Sequence, residues 1–169
     1  MNCEKKSAVP DTAVVNASPL IFLSRAGLTD LLKQAGSTII IPSSVAGEIK
    51  QRGINDPTAQ AMLNNEWLVI FDVTSIPPII QSWDLGAGES SVLTHAYNNV
   101  GMIAVIDDLC ARRCAVTLNI PVIGTLRLVL IAKKRGVIPF ARPVMNKLRQ
   151  TGMYLSNAIM NQALTLVGE

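Results

Sequence analysis

The chain has 169 residues, 49% of them apolar and only 16% charged, with a formal net charge of +3. That is enough sequence for one domain with its own core, and no apolar run approaches the roughly 18 residues of a membrane-spanning helix, which argues against a membrane protein. Three cysteines, odd in number and without CxxC spacing, exclude a disulfide framework and a zinc knuckle.

Residues 1–11 read as a flexible polar lead-in, and residues 12–169 as a single domain. Pro10, Asp11 and Asn16 interrupt any apolar leader segment, so a cytoplasmic protein is expected. "TAVV" predicts a short buried strand, and "PLIFLSRAG" a helix opened by Pro19 and stopped by Gly27. "LTDLLKQAG" predicts a second helix with Gly36 as its cap, "STIII" a strand, and "VAGEIKQRG" a helix. "DPTAQAMLNNE" predicts a helix, "WLVIFDV" a strand, and the proline pair in "TSIPPII" a connector. A helix from about Ala87 to Asn99 follows, then the strand "MIAVI", the helix "LCARRCAVTLN", the short strand "PVIG" and the helix "TLRLVLIAKKRG". Two further helices cover roughly 142–151 and 155–167. Strands and helices alternating at this spacing predict βαβ units, and hence an α/β fold with a parallel sheet.

In such sheets, functional groups gather beyond the carboxyl ends of the strands. Asn16 ends the first strand and Asp107 ends "MIAVI". Glu48 lies about two turns into the helix after "STIII", and Glu89 begins the helix after "DLGAG". Asp108 adds a neighbouring acid. A single acid at a strand end is ordinarily a cap or a dipole partner, worth about 0.3–1 kcal/mol. A set of them at successive strand ends is better explained by a cation, because clustered carboxylates resist ionising without one. Oxygen donors favour Mg²⁺ or Mn²⁺ over zinc, and such ions serve phosphodiester cleavage.

"DLGAGESS" invites comparison with a nucleotide-binding loop. A dinucleotide fingerprint would need a third glycine where Ser91 stands, and the Gly-Lys-Ser/Thr of a P-loop is absent. The glycines turn the chain into a helix with Glu89 on its first turn, where the helix dipole favours an anion.

Charge is unevenly divided. Residues 1–108 hold six Lys/Arg and eleven Asp/Glu, whereas residues 109–168 hold nine Lys/Arg and no acid. An acidic half beside a basic half suits carboxylates for metal and cations for a phosphate backbone. Arg112 and Arg113 follow Asp108 by about one helical turn and are candidate phosphate contacts, with surface ion pairing as the alternative. Arg127, in a first helical turn where the dipole disfavours a cation, implies an anionic partner. Lys133, Lys134 and Arg135 suit the C-terminal end of that helix. His95 lies about 240° around the helix from Glu89 and so faces away from the site. Trp67 and Trp83 read as core or interface residues, and Cys110 and Cys114 as small buried thiols.

Together, "VVNASPLIFLSRAGLTDLL", "IIIPSSVAGEI", "LGAGESSVLTHA", "VIDDLCARRCA", "VIGTL" and "AKKRGVIP" resemble a PIN-domain protein, and most closely the compact prokaryotic subgroup related to VapC-type toxins. The resemblance implies a three-layer α/β/α sandwich around a parallel sheet and metal-dependent endoribonuclease activity. It carries the acidic site onto Asn16, Glu48, Glu89 and Asp107, with Asp108 assisting at the metal. It adds Ser18 beside the first position and Thr125 at the helix bordering the site. It also implies an RNA substrate, a small antitoxin partner and a homodimer or higher homo-oligomer. One departure matters: Asn16 stands where PIN nucleases usually carry Asp, which removes a negative charge and implies weaker metal binding.

Two function classes follow. One is a metal-dependent ribonuclease, the toxin of a toxin–antitoxin pair. The other is a PIN-like RNA- or protein-binding module whose catalysis is weakened or lost through Asn16. A phosphoacceptor receiver domain fits poorly, because its paired acids follow the first strand and here "DD" comes late.

Overall fold

The computed structural model describes residues 10–169. Of the expected lead-in, all but Pro10 and Asp11 therefore lies outside the described residues, as does Cys3. Five strands, β1 (Thr12–Val15), β2 (Thr38–Pro42), β3 (Leu68–Phe71), β4 (Ile103–Val105) and β5 (Val122–Ile123), form one sheet in the order β3-β2-β1-β4-β5. Every pairing is parallel. Helices cover both faces, giving the α/β/α architecture expected.

Ala13, Val14 and Val15 of β1 are fully buried, as a central strand covered on both faces requires. At the sheet edge, β3 instead leaves Val69, Ile70 and Phe71 exposed. Helix α1 (Ala17–Arg25) starts two residues earlier than Pro19 implies. Asn16 is its extended N-cap residue, and Pro19 falls in the first turn, where a missing N–H costs nothing. Gly27, at φ +66°, ends the descent from α1 in the left-handed region open to glycine.

Two expectations are corrected here. Residues Thr29–Gln34 form a 3₁₀ segment and not an α-helix. Its follower Gly36 passes so close to β1 that a Cβ there would lie 2.8 Å from the Ala13 nitrogen. Gly36 is thus required by a close approach, and a bulkier turn into β2 would not fit. The proline-rich connector also contains a short helix after α2 (Ser43–Lys50) and α3 (Pro57–Asn64), namely α4 (Pro78–Gln81). Pro78 occupies its first turn, the helical position proline tolerates.

Helix α5 (Ala87–Asn98) lies against β1, β2 and β4 and also touches α2 and α6 (Leu109–Thr117). Helix α7 (Thr125–Lys134) packs on the 3₁₀ segment, α8 (Ala141–Gln150) and α9 (Asn157–Thr165). Glu169 folds back onto the start of α8, where its carboxylate accepts from the Ala141 and Arg142 amides at 2.7 and 3.1 Å. It thereby satisfies two N–H groups that the helix itself cannot. Lys133 approaches the same carboxylate at 3.5 Å and donates to the Pro139 carbonyl. Arg135 donates to Gln34. Among the described residues, no helix is long and apolar enough to cross a membrane.

Candidate active site

The strand order reverses direction between β1 and β4, since chain-order neighbours run one way from β1 and the other way from β4. Open α/β sheets place ligands in the crevice outside the carboxyl ends at such a switch point. Asn16 and Asp107 are the polar residues that follow these two strands. Their strands are stitched together at that end, with the Asn16 amide donating to the Val105 carbonyl at 3.0 Å.

Asn16 is only 3% exposed, and its side-chain Nδ2 donates to Glu89 Oε1 at 3.0 Å. Glu89 sits in the first turn of α5, with its other carboxylate oxygen curled over Gly86. Between them lies Gly88. A Cβ there would come within 2.9 Å of Asn16 Oδ1, 3.4 Å of Val45 Cγ2 and 4.0 Å of Glu48 Oε2. Asn16 Oδ1 and Glu48 Oε2 therefore face one notch that only glycine leaves open, with Glu89 held to the other end of the Asn16 amide. The Ser44 hydroxyl, donating to the Ala87 carbonyl at 3.4 Å, ties α2 to the start of α5 beside it.

Asp107 is held separately. Its Oδ1 accepts from the Thr125 amide and its Oδ2 from the Thr125 hydroxyl, both at 2.7 Å. A carboxylate at the N-terminus of α7 meets the helix's free N–H groups and positive dipole end. Gly124 permits this approach, since a Cβ at that position would lie 2.9 Å from Asp107 Oδ1 and 3.6 Å from an Arg112 guanidinium nitrogen. Thr125 is fully buried. With its amide and hydroxyl both donated to Asp107, it positions that carboxylate.

The other site candidates divide. Asp108 is exposed and caps α6, accepting from the Ala111 amide at 2.8 Å through Oδ1. Ser18 is exposed on the first turn of α1. Arg112 and Arg127 line one cleft of about 700 Å³ together with Asp107, whereas Arg113 is not among its lining residues. His95 is buried against Phe71, with ring centroids 4.6 Å apart, and burial pushes its pKa below the usual 6.5. Trp67 and Trp83 are half-buried against the core, with the Lys33 ammonium over the Trp67 ring at 4.6 Å. Cys114 is buried, and burial, with Cys110 nearby, raises its thiol pKa. The expectation of two buried thiols fails for Cys110, which is exposed at the start of α6 like its neighbours Asp108 and Leu109.

A family model described as a PIN domain matches residues 12–169, the whole sheet and every helix around it. The chain belongs to the PIN-domain family. No curated protein matches it.

PIN domains are generally nucleases, and they typically use divalent metal ions. Among the described residues of this PIN domain, no three His, Cys, Asp or Glu side chains come together closely enough to hold a metal ion. The reason lies in the two local arrangements. An amide, and not a third carboxylate, stands beside Glu89, and Asp107 is drawn toward Thr125. The donor set still fits a hard cation. Every candidate atom is an oxygen, and the notch at Gly88 keeps Asn16 Oδ1 and Glu48 Oε2 facing open space that a side chain would fill.

The two glycines and the positioning role of Thr125 are not legible as such in the sequence of this PIN domain. A signal exists for Gly124, because a glycine followed by threonine ahead of a helix after a short strand is where backbone amides can meet an anion.

Proposed function

We propose that this PIN domain is a metal-dependent endoribonuclease. Asn16, Glu48, Glu89 and Asp107 hold Mg²⁺ or Mn²⁺, and Asp108 contributes from the edge. The observation that carries this reading is the notch at Gly88, where the Asn16 amide oxygen and the Glu48 carboxylate face one space while the Asn16 amide nitrogen holds Glu89, beside the β1–β4 switch point.

When bound, a hard divalent cation supplies Lewis acidity toward the phosphodiester. The chain's own residues do the rest. Asn16 fixes the orientation of Glu89 through its amide, with no net charge added to the notch. Thr125 fixes both oxygens of Asp107. Arg112 and Arg127, in the same cleft as Asp107, offset the charge of the incoming phosphate and strengthen its capture over water. Ser18 and Arg113, both exposed, serve the outer path of the RNA.

The test is cleavage of single-stranded RNA with Mn²⁺ or Mg²⁺, compared with Asp107→Asn. Cleavage that needs the ion and disappears in the variant supports the reading. Intact RNA that is nonetheless retarded on a gel overturns it. That second outcome supports a binding module, which is favoured by one observation: the Asn16–Glu89 hydrogen bond satisfies the notch without a cation.

We further infer that the protein acts in the cytoplasm as a toxin of the VapC-related subgroup, restrained by a small antitoxin that covers the acidic notch. Self-association through the exposed apolar edge strand β3 supports a homodimer or higher oligomer. Growth arrest on expression, relieved by the product of a small neighbouring gene, tests the toxin role, and sedimentation tests the oligomer.

A further inference from the structure

The cleft that contains Asp107 has a second lining that the carboxylates do not explain. Besides Arg112 and Arg127, it is walled by Phe22, Leu130, Met153, Tyr154 and Ile159. Its volume of about 700 Å³ lies in the range of sites that enclose one small molecule. Tyr154 is 88% exposed, yet its neighbour Leu155 is buried and anchors the loop between α8 and α9. Gly152, at φ +101°, turns the chain into that loop. An aromatic ring is thus held out to solvent at the wall of a charged cleft. Among the described residues, neither Arg112 nor Arg127 forms an ion pair.

We propose that this cleft is a nucleobase subsite, in which one unpaired base of single-stranded RNA stacks on Tyr154 while its phosphate meets Arg112 and Arg127. This rests on the ribonuclease reading of the same edge. The two chemistries match the two parts of a nucleotide: a flat apolar face for the base, and unpaired guanidinium groups for the phosphate. Stacking on an aromatic ring needs no particular base, so the subsite selects unstacked single strands over duplex and does not read sequence.

The test uses a fluorescent single-stranded oligoribonucleotide with phosphorothioate linkages, which resist cleavage, in Mg²⁺. It is compared with the same strand lacking one base. The wild-type protein is expected to bind the complete strand about tenfold more tightly, in line with the usual loss when an aromatic platform is removed. Tyr154→Ala abolishes that preference, and Tyr154→Phe keeps it. Equal binding of both strands by the wild type, or a preference that survives Tyr154→Ala, overturns the subsite. So does a change in sedimentation mass in Tyr154→Ala with RNA affinity unchanged, which would assign the cleft to a second copy of the chain. If the wild type shows the Tyr154-dependent preference but does not cut unmodified RNA, the nuclease reading fails and the subsite stands.

Discussion

The Asn16 side-chain amide donates to the Glu89 carboxylate at 3.0 Å, so the two polar groups at the β1 end of the site are joined directly. An aspartate at position 16 would put two carboxylates in that place. Asn16→Asp is therefore expected to lose the hydrogen bond and gain a repulsion, together worth about 1–2 kcal/mol. At this chain length that lowers Tm by roughly 2–8 °C in EDTA. Added Mn²⁺ should raise the variant's Tm more than the wild type's. Identical melts in EDTA would show that the pair does not organise the site.

Gly88→Ala separates propensity from function. At the second position of α5, alanine's advantage over glycine is at most the roughly 1 kcal/mol of a helix interior. Here its Cβ would lie 2.9 Å from Asn16 Oδ1 and crowd the notch. RNA cleavage and metal-induced stabilisation should both fall, while the metal-free Tm stays close to that of the wild type. A variant that remains fully active would remove the notch from the mechanism.

Thr125→Val keeps the backbone amide bond to Asp107 and removes only the hydroxyl bond at 2.7 Å. A loss of about 1 kcal/mol in stability is expected. Because a misplaced reacting group can cost up to ~100-fold in rate, the larger effect should appear in kcat, with RNA affinity nearly unchanged. Thr125→Ser should restore activity. Equal loss in both variants would point to packing and not to positioning.

His95 links stability to pH. Burial lowers its pKa below 6.5, so the folded state holds it neutral while the unfolded chain takes up a proton. Stability is fully present above pH 6.5 and declines as the pH falls toward the folded-state value. Chemical denaturation at pH 8 and pH 5.5 should show this decline in the wild type, and His95→Leu should flatten it.

Glu169 acts in a more acidic window. The Ala141 amide outweighs the upward effect of burial and, with the Arg142 amide and Lys133, holds its carboxyl below the ordinary 4.5. A depressed carboxylate stabilises the fold above its unfolded pKa, and the effect disappears as the pH falls through the folded value. Glu169→Gln should therefore melt below the wild type at pH 7 and converge with it as the pH falls through the folded-state value. A constant difference across that range would sink the charge-dependent cap.

The alternation of short apolar strands with helices, read from the residues alone, determined the α/β class and the placement of the five strands, and the resemblance carried by the quoted motifs pointed to the family. Hydrophobic periodicity and glycine or proline punctuation are local properties, and local properties survive in a sequence. Their limits show at Thr29–Gln34 and Pro78–Gln81. The first is packed on α7, α1 and β2, neighbours that no local pattern encodes. In the second, proline's tolerance for a first turn was mistaken for a break. The sequence also marked Asn16, Glu89 and Asp107 as polar groups at the ends of elements, and Glu48 inside the helix after β2.

Tertiary structure alone decided how those four residues meet. The strand order puts β1 beside β4, which no local pattern encodes, and so brings Asn16 to the switch point next to Asp107. It also splits the set into an Asn16–Glu89 pair around Gly88 and an Asp107–Thr125 pair around Gly124. Tyr154 lies far along the chain from Arg112 and Arg127, and only the packing of α7 and α9 makes one cleft of them. Hydrogen bonds and clefts of this kind depend on distances between segments remote in sequence, and those distances are fixed only when the core closes.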